Sequence, residues 1–565
     1  MIKRVDLSTG EYVTYPVDPT VQRDYLGGLG LSVRLMADVS DLTLPPLDPR
    51  LPAIVSVGPL NATGFPGANR ACFFGVSPLT GLTAPAWMGG DFATGLGRSG
   101  ALALVLEGKA PEPSILVVRE GGIEVVPRPD LWGLTTSETR TALESLYGRM
   151  PMAIIGPAGE RLVAMASVRG NESHSAGRCG MGAVLGSKNI KAILANGQAR
   201  PPLADAEEFE VASREAMKAV RESDFLMNEW RRVSTPGIVK SVNNFEAWPT
   251  GNFQKRSFET ADRLYGDRIV DEYVIKRSTC SHCPVGCRLH VRVDGEELAA
   301  PEYETLWAFG PDNMVDDYAL ITRAVALCND LGLDGISAGN AVAFYREYTG
   351  TLSDPSNMLD LVRAIAYREG AGDVLAEGTR RAAEHFGVDY AMEVKGLELP
   401  AYDPRKFIGM AISYCTANRG GCHMRSWTAG RELSGADFSA EELAKMVAEG
   451  HDAECVQDSL IVCAFVAGTV KPWYARALSH ALGHEYDEAQ LAVVGERIYT
   501  LERMLNTKRG VSADFDALPR RLKEGLVSPE KYEEGMRLYY QFRGWDTNGC
   551  PTAGKLAELA LDAVI

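Results

Sequence analysis

A chain of 565 residues is too long for one ordinary hydrophobic core, and we expect three domains. Hydrophobic residues make up 45% of the chain and charged residues 23%, which excludes a disordered protein. The formal charge of −16 argues against a nucleic-acid partner, because binding phosphates requires a basic surface.

The start of the chain, MIKRVDLSTGEYV, lacks the apolar core of a secretory signal. No stretch approaches the roughly 20 uninterrupted apolar residues that are needed to cross a bilayer. The sequence therefore predicts a cytoplasmic protein with no membrane span.

The first part of the chain is predicted to be mostly sheet, because short β-rich runs alternate with glycine-rich turns. The predicted strands lie at 52–57, 101–108, 114–127 and 153–157. Within the third of these, Gly121-Gly122 separates two β-rich runs and predicts a hairpin. We assign residues 1–200 to a β-rich domain.

Helices are predicted to dominate beyond Pro201-Pro202, where good helix formers follow the two prolines. In 316–331 apolar residues recur at helical spacing, with Asp316 as the predicted cap and Gly332 as the predicted end. The run 358–387 is interpreted in the same way.

A connection is predicted at GLELPAYDPR, which contains two prolines and no amphipathic period. It separates two mainly helical domains, at 201–395 and 396–565. The predicted fold class is therefore α+β, with a β-rich domain followed by two helical ones.

Eleven cysteines, an odd number, argue against a full set of disulfides. Three of them, Cys280, Cys283 and Cys287, stand within eight residues, and a proline and a glycine bend the chain between them. Thiolates grouped in this way suit an iron–sulfur cluster or a zinc ion. From spacing alone, a cluster and a zinc knuckle completed by His290 or another cysteine both stay open.

The cysteine cluster is one of several distinctive segments that occur along the chain. They are NRACFFGVSPLTG (69–81), IGPAGE (155–160), AGRCGMGAVLGSKNIKAI (176–193), CSHCPVGC (280–287), PEYETLWAFGP (301–311), CNDLGLD (328–334), LELPAYDPR (397–405), NRGGCH (418–423) and DSLIVC (458–463). In order and spacing they resemble the tungsten-containing aldehyde:ferredoxin oxidoreductase family.

The resemblance implies tungsten, or molybdenum, held between two pyranopterins beside a [4Fe–4S] cluster that passes electrons to ferredoxin or an iron–sulfur subunit. No side chain binds the tungsten in this family, so the protein contributes hydrogen bonds, charge and position. The residues that match the cluster ligands are Cys280, Cys283, Cys287 and the distant Cys463. Arg70 matches an arginine between the cluster and a pterin.

The family contacts each pterin through a motif of the type D-x-x-G-L-D or D-x-x-G-L-C, and this chain has one copy in each helical domain. The first copy runs from Asn329 to Asp334, and the second runs from Asp458 through Val462. Both depart from the pattern, because Asn329 replaces an aspartate and Ile461 replaces the glycine. The missing glycine leaves the backbone path of the second loop open.

The resemblance also places the pterin phosphates, with a bridging Mg²⁺, near Gly89, His174 and Ser175. Trp87 and His174 differ from the asparagine and arginine expected at their positions. Arg425 matches a basic contact to a pterin.

Glu304 in PEYET and His423 in RGGCH match the two residues beside the metal in relatives that oxidise aldehydes. In this interpretation His423 donates a hydrogen bond to the aldehyde carbonyl, and Glu304 takes up a proton. The expected reaction converts an aldehyde to a carboxylic acid. One alternative is the tungsten subunit of an aromatic acyl-CoA reductase complex, and a second is a zinc-knuckle protein with no redox role.

Some relatives join two subunits through an iron held by a Glu-x-x-His on the helix before the first pterin motif. This chain has Arg323 and Ala326 at those positions, so we expect that bridge to be missing. Homo- or hetero-oligomers through another surface stay open, as do the identity of the aldehyde and the choice between tungsten and molybdenum.

Overall fold

The computed structural model describes residues 1–171 and 174–564, and its amino-terminal part is built on two six-stranded sheets. The strands are β1 (Ile2–Asp6), β2 (Tyr12–Tyr15), β3 (Ala53–Ser56), β4 (Ala71–Val76), β5 (Thr83–Met88), β6 (Ala103–Glu107), β7 (Ser114–Arg119), β8 (Gly122–Pro127), β9 (Met152–Ile155), β10 (Val168–Gly170), β11 (Ser175–Ala176) and β12 (Ile190–Ala195). The first sheet has the order β2-β1-β6-β3-β4-β5, and the second has the order β11-β10-β9-β12-β7-β8.

Six short helices accompany these strands within the described part of the amino-terminal region. They are α1 (Pro19–Tyr25), α2 (Gly28–Ala37), α3 (Phe92–Arg98), α4 (Thr136–Tyr147), α5 (Pro157–Glu160) and α6 (Met181–Ser187). The predicted hairpin is confirmed, because β7 and β8 pair antiparallel with Arg119 opposite Gly122. A capping box, in which Thr135 and Glu138 each bond the other's backbone N–H, starts α4.

The next region is mainly helical, as predicted, and carries two small sheets. Its elements are α7 (Ala206–Glu222), α8 (Arg231–Val233), α9 (Val239–Asn244), α10 (Gly266–Tyr273), β13 (Val274–Ser278), β14 (Arg288–Val293), β15 (Glu296–Ala299), α11 (Tyr303–Phe309), α12 (Tyr318–Leu331), α13 (Gly335–Tyr348), α14 (Met358–Tyr367), α15 (Ala371–Leu375), α16 (Thr379–Phe386), β16 (Glu393–Val394) and β17 (Leu397–Glu398). A π-helix covers Phe225–Trp230.

Two helix predictions in this region need correction. The cap of α12 is Asp317, whose carboxylate accepts from Ala319 and Leu320 N–H, and not Asp316. The run 358–387 is three helices, because the chain turns through positive φ at Arg368 (56°) and Gly370 (54°) before α15 and at Gly378 (92°) before α16. The end of α12 at Gly332 is confirmed.

The carboxy-terminal region is helical, and its longest members pack on one another. Its helices are α17 (Ile408–Thr416), α18 (Ala429–Glu432), α19 (Ala440–Leu460), α20 (Ala464–Val470), α21 (Tyr474–Leu482), α22 (Glu488–Lys508), α23 (Arg520–Glu524), α24 (Pro529–Phe542) and α25 (Ala553–Glu558). Capping boxes start α19, at Ser439 and Glu442, and α22, at Asp487 and Gln490. The α+β fold class is thereby confirmed.

One large hydrophobic core includes residues from all three regions, so the regions pack as one body around it. Helix α19 packs on both α22 and α24, and also on α2 of the amino-terminal region. A smaller core lies between the second sheet and α4. Among the described residues, no helix combines the length and the apolar character that crossing a bilayer requires.

Candidate functional site

The three clustered cysteines occupy the loop of a β-hairpin that the sequence analysis did not anticipate. Strands β13 and β14 pair antiparallel, with Ser278 opposite Arg288, so the intervening loop holds all three cysteines. Within it His282 and Gly286 have positive φ values of 55° and 67°. Because a hairpin brings its loop ends together, the three thiols lie on one compact turn.

A segment of the amino-terminal region joins this loop to the second predicted pterin motif. The Gly67 carbonyl accepts from the Cys463 N–H at 2.9 Å, and the Asn69 side chain donates to the Ser281 carbonyl at 2.8 Å. The Arg70 N–H reaches the Ile461 carbonyl at 3.3 Å. These contacts bring Cys463 to the cysteine loop across a long stretch of sequence.

The predicted cluster ligands Cys280, Cys283, Cys287 and Cys463 line one cavity. Burial, followed by the neighbouring thiols, raises the pKa of Cys287, and burial raises the pKa of Cys283 to about 12. Among the described residues no group of three or more His, Cys, Asp or Glu side chains is arranged to hold a single metal ion. The four thiols share this cavity.

Arg70 and His174 border the same thiols. An Arg70 guanidinium N–H donates to Cys463 Sγ at 3.0 Å, and His174 Nε2 lies 3.2 Å from Cys280 Sγ. Burial and the positive charges of nearby arginines lower the pKa of His174 well below its usual value, so its ring is neutral. Arg70 thus places a positive charge where thiolates would gather.

Glu304 and His423, the predicted catalytic pair, both line this cavity. Glu304 lies in the first turn of α11, His423 follows the RGG turn, and Glu304 Oε1 lies 3.5 Å from His423 Nε2. The Ala401 N–H donates to Glu304 Oε2 at 2.9 Å. Glu304 Oε1 and His423 Nδ1 have no hydrogen-bond partner among the described residues.

Burial decides the protonation of this pair, since their side chains are only 12% and 15% exposed. It raises the pKa of Glu304 to about 8 and lowers the pKa of His423 to about 3. Near neutral pH the carboxyl is therefore mostly protonated and the imidazole neutral. Their 3.5 Å contact is polar but is not an ion pair.

The cavity measures about 480 Å³, and its lining includes the four thiols as well as aromatic and aliphatic side chains. The apolar lining comprises Phe225, Trp230, Ile238, Tyr303, Tyr402, Trp427, Phe465 and Val466. Trp427, at its edge, is 45% exposed. A small organic substrate therefore has a largely apolar space whose lining includes Glu304 and His423.

The two predicted pterin motifs adopt the same local structure. In the first, α12 ends at Gly332, whose φ and ψ are 76° and 43°, and Asp334 caps α13. In the second, α19 ends at Ile461 with φ and ψ of 56° and 32°, and Cys463 precedes α20. The second motif therefore makes the same left-handed turn as the first, although it lacks the glycine. Ile461, a β-branched residue, adopts this conformation at a cost in backbone strain.

Each motif turn packs on backbone of the amino-terminal region. A Cβ added at Gly156 would lie 2.3 Å from the Leu331 carbonyl oxygen, and Ser167 N–H donates to the Gly332 carbonyl. A Cβ added at Gly28 would lie 2.4 Å from the Asp458 carbonyl oxygen. Glycine is required at both contacts because no side chain fits.

Three of the residues in the predicted pterin motifs, Asn329, Asp334 and Val462, do not line the cavity. Asp334 lies 2.9 Å from Arg178 Nε, and Val462 is buried. The Asn329 carbonyl accepts from Thr136 Oγ1. Their assignment to pterins stays a prediction.

A buried ionic network surrounds the second motif. Arg425 lies 3.4 Å from Asp458 and 2.9 Å from Glu502, and it lies 5.8 Å over the ring of Trp87. Burial raises the pKa of Asp458, and the nearby arginines oppose the shift. Glu502 was missed by sequence reasoning, because nothing in the sequence shows that α22 turns it inward.

The predicted phosphate residues lie close together. Gly89 follows β5, and a Cβ there would lie 2.8 Å from His174 Cδ2. Arg169 donates to Ser175 Oγ. Burial, with repulsion from Arg288 and Arg140, lowers the pKa of Arg169 to about 9, so an anion placed beside it would be stabilised.

Two family sequence models together match nearly the whole chain. The sequence model described as "Aldehyde ferredoxin oxidoreductase, N-terminal domain" matches residues 2–197, and the one described as "Aldehyde ferredoxin oxidoreductase, domains 2 & 3" matches residues 211–561. The chain belongs to the aldehyde ferredoxin oxidoreductase family.

Relatives of the aldehyde ferredoxin oxidoreductase family span the full chain. The tungsten-containing aldehyde ferredoxin oxidoreductase of Pyrococcus furiosus is 34% identical, with 99% of this chain and 98% of the relative covered. A Pyrococcus furiosus aliphatic sulfonate oxidoreductase, WOR-like subunit, is 26% identical, with 99% and 96% covered. Like these named oxidoreductases, the chain is an enzyme.

A solved structure shares the fold. The active-site complex BamBC of benzoyl coenzyme A reductase superposes with a TM-score of 0.88 at 24% identity, covering 100% of this chain and 97% of the other. At this identity the likeness establishes the architecture alone. It shows that this chain and one chain of that complex share one fold.

Membership in the aldehyde ferredoxin oxidoreductase family implies a tungsten pyranopterin cofactor, and the residues present fit it. Buried nitrogen donors without hydrogen-bond partners among the described residues gather near the predicted site: Arg70 Nε, Trp87 Nε1, Arg169 Nε and Arg419 Nε. Orphaned donors are costly in a folded protein unless a ligand satisfies them. A pyranopterin, which is rich in acceptor nitrogens and phosphate oxygens, suits this donor set.

Sequence reasoning missed Arg169, Arg178 and Arg419. Arg419 is buried, donates to the Pro85 carbonyl at 2.7 Å and lies 4.7 Å over the ring of Trp87. Arg178 lies in AGRCG and Arg419 lies in NRGGCH, two of the motifs on which the family resemblance rests. Their position in these motifs could have identified them as candidate site residues.

Proposed function

We propose that this chain oxidises an aldehyde to a carboxylic acid at a tungsten, or molybdenum, held by two pyranopterins. In this proposal the electrons leave singly through a [4Fe–4S] cluster on Cys280, Cys283, Cys287 and Cys463. Ferredoxin or an iron–sulfur subunit then accepts them. The observation that carries the proposal is the meeting of Glu304 and His423, 3.5 Å apart, in the cavity that the four cysteines also line.

The metal–pterin group, when bound, accepts the two electrons that leave when an aldehyde and water become a carboxylic acid and two protons. The protein's part is to orient the aldehyde and move protons. Neutral His423 has one N–H with which to polarise the aldehyde carbonyl. Glu304, once ionised, presents Oε1 without a competing partner as the proton acceptor.

The cavity walls support the other requirements of this reaction. The aromatic and aliphatic side chains exclude bulk water, which strengthens the polar contacts of Glu304 and His423. The Ala401 N–H fixes one carboxyl oxygen of Glu304 and leaves the other facing His423. The Arg70 guanidinium, which donates to Cys463 Sγ, would offset the negative charge of cluster thiolates.

The remaining cofactor assignments belong to this proposal. Pterin phosphates with a bridging Mg²⁺ would lie by Gly89, His174 and Ser175, where Arg169 supplies positive charge. Asn329, Asp334, Arg425, Asp458 and Val462 would lie along the two pterins. In this proposal, each motif turn would place the end of a helix close to one pterin.

The test uses protein purified without oxygen, with metals measured together with activity. The expected result is about four irons and one tungsten or molybdenum per chain, with viologen reduced when aldehyde is added. If metal-loaded protein fails to reduce viologen with every aldehyde that is tested, the proposal is contradicted. Dye reduction that depends on an acyl-CoA would instead support the acyl-CoA reductase alternative, and a colourless preparation with stoichiometric zinc would support the zinc-knuckle alternative.

A further inference from the structure

His174 contacts the cysteine loop, although the two are far apart in the sequence. Its Nε2 lies 3.2 Å from the Sγ of Cys280, a residue 106 positions away. His174 also lines the cavity that the four cysteines share. The predicted phosphate role of His174 concerns the pterin, whereas this contact concerns the proposed cluster.

The backbone of two consecutive glycines holds the His174 ring in place. A Cβ added at Gly89 would lie 2.8 Å from His174 Cδ2, and one added at Gly90 would lie 3.1 Å from His174 Nδ1. Gly90 has a φ of 91°, a conformation that favours glycine. The His174 carbonyl in turn accepts from the Gly170 N–H at 2.8 Å. The fold therefore fixes both the backbone and the ring of His174 beside Cys280.

The state of the sulfur determines which atom donates the hydrogen bond between His174 and Cys280. A cysteine that binds a cluster is a thiolate and has no S–H to donate. The 3.2 Å contact is then favourable only if His174 Nε2 carries a proton, because two lone pairs would otherwise face each other. In that tautomer Nδ1 keeps a lone pair, and Nδ1 has no hydrogen-bond partner among the described residues. Nε2 is therefore the donor and Cys280 Sγ the acceptor.

Two of the four proposed cluster cysteines thus have a nitrogen donor from the amino-terminal region. An Arg70 N–H donates to Cys463 Sγ at 3.0 Å, and His174 Nε2 contacts Cys280 Sγ. An arginine donates with a full positive charge, whereas an imidazole can donate one N–H without any net charge. The sequence analysis expects an arginine at position 174, so the neutral donor distinguishes this chain.

Hydrogen bonds to the sulfurs of an iron–sulfur cluster are one of the factors that set its reduction potential. Reduction adds one negative charge to the cluster, and an N–H that points at a sulfur is attracted more strongly to the reduced form. Such a bond therefore makes the cluster easier to reduce. The exclusion of water from a buried contact strengthens this effect.

We propose that His174 donates a hydrogen bond to Cys280 Sγ and thereby raises the reduction potential of the cluster. The inference rests on the proposed function, which places a [4Fe–4S] cluster on Cys280. In that function the cluster takes up and releases one electron at a time, so its potential controls how readily electrons pass through it. His174 acts through Cys280 and is a positioning residue.

The experiment measures the cluster potential in enzyme that is purified without oxygen. The protein is titrated with dithionite in the presence of redox mediators, and EPR detects the reduced cluster. His174→Leu removes the donor, whereas His174→Gln keeps an N–H on a side chain of similar size. His385→Leu is the control, because His385 lies on α16 and does not line the cavity. Iron and tungsten or molybdenum contents are measured for each protein.

We expect His174→Leu to lower the equilibrium constant for one-electron reduction of the cluster about tenfold, which is a shift of about 59 mV to more negative potential. His174→Gln should show less than half of this shift, and His385→Leu should show none. An unchanged potential in His174→Leu would overturn the inference. Equal shifts in His174→Leu and His174→Gln would also overturn it, because they would show an effect of packing and not of the N–H.

A second measurement uses the unmodified enzyme and does not depend on the folding of a variant. Histidine is labelled with the heavy isotope of nitrogen, and pulsed EPR of the reduced cluster records any coupling to that nitrogen. We expect a coupling in the unmodified enzyme and its loss in His174→Gln. Its absence from the unmodified enzyme would overturn the inference. Failure of the proposed function is a different result, because protein without about four irons per chain has no cluster signal at all.

Discussion

At the scale of single residues, Glu304 and His423 illustrate how burial changes the chemistry of common side chains. Their motifs were visible in the sequence, but their 3.5 Å separation and their protonation depend on the surrounding fold. Tyr303 and Tyr402, which line the same cavity, are buried beside Glu304 and do not ionise. The fold thus supplies a dry site for a carboxyl group with a raised pKa.

Replacing Glu304 with Gln removes the proton acceptor but keeps the size and one hydrogen-bonding oxygen of the side chain. We expect kcat for aldehyde oxidation to fall at least about 100-fold, with iron and tungsten or molybdenum contents unchanged. Steady-state viologen assays and metal analysis measure the two effects. Glu454→Gln is the control, since Glu454 lines the same cavity but bonds to Gln457. Comparable losses in both variants would remove the special role of Glu304.

The pH dependence of the reaction follows from the same residue. A proton acceptor works in its deprotonated form, and the pKa of Glu304 is raised to about 8 by burial. We therefore expect kcat/KM to rise with pH and to level off above about 8. His423, with its pKa lowered to about 3, should add no inflection near neutral pH.

The measurement is a pH profile of aldehyde-dependent viologen reduction, together with the residual activity of Glu304→Gln. The variant should lack the inflection near pH 8 that the unmodified enzyme shows. A flat profile, or a kcat/KM that falls as pH rises toward that value, would contradict the assignment of Glu304 as the acceptor.

At the scale of elements, the two predicted pterin motifs show that one turn can be made by different residues. Gly332 adopts the left-handed conformation without a steric penalty, whereas Ile461 adopts it although its Cβ is branched. Ile461 is fully buried, so the apolar area that it removes from water offsets the strain. Packing thereby replaces the glycine that the sequence pattern led us to expect.

Gly332 and Gly387 provide a matched pair for testing the first motif. Both end helices with positive φ, 76° and 68°, but a Cβ at Gly332 would lie 2.7 Å from the Gly156 nitrogen and one at Gly387 meets nothing within 4 Å. We expect Gly387→Ala to destabilise the fold by about 1 kcal/mol and Gly332→Ala by more than about 3 kcal/mol. Apparent Tm values compare the two, and equal shifts would contradict the contact.

At the scale of the whole molecule, the site exists only because the three regions of the chain meet. Residues 67–70 contact the cysteine loop on one side and Cys463 on the other. The hairpin loop, the amino-terminal region and the end of α19 are therefore parts of one site. Loss of any of these contacts should affect metal binding at the proposed cluster site before it affects the separate elements.

Cys463→Ser tests this arrangement. If the fourth ligand comes from the carboxy-terminal region, the variant should retain the fold but hold fewer than the expected four or so irons per chain, with weaker visible absorbance. Iron analysis and spectra under anaerobic conditions measure the change. Cys550→Ser, at a cysteine outside the cavity, is the control and should leave iron content unchanged. Full iron content in Cys463→Ser would exclude it as a ligand.

The sequence by itself determined the fold class, many element positions and the family. Local signals carried these results: glycine pairs mark hairpins, capping residues start helices, and ordered motifs such as NRGGCH identify relatives. The same signals misplaced the cap of α12 by one residue, because Asp316 and Asp317 are both suitable acceptors.

Only the tertiary structure decided which residues face the site and in what protonation state. The hairpin around the cysteines, the buried Arg169, and the turn at Ile461 depend on contacts between distant parts of the chain. The pKa of Glu304 depends on water being excluded by many side chains at once. Burial and long-range packing are properties of the folded molecule, so residue types and their spacing do not contain them.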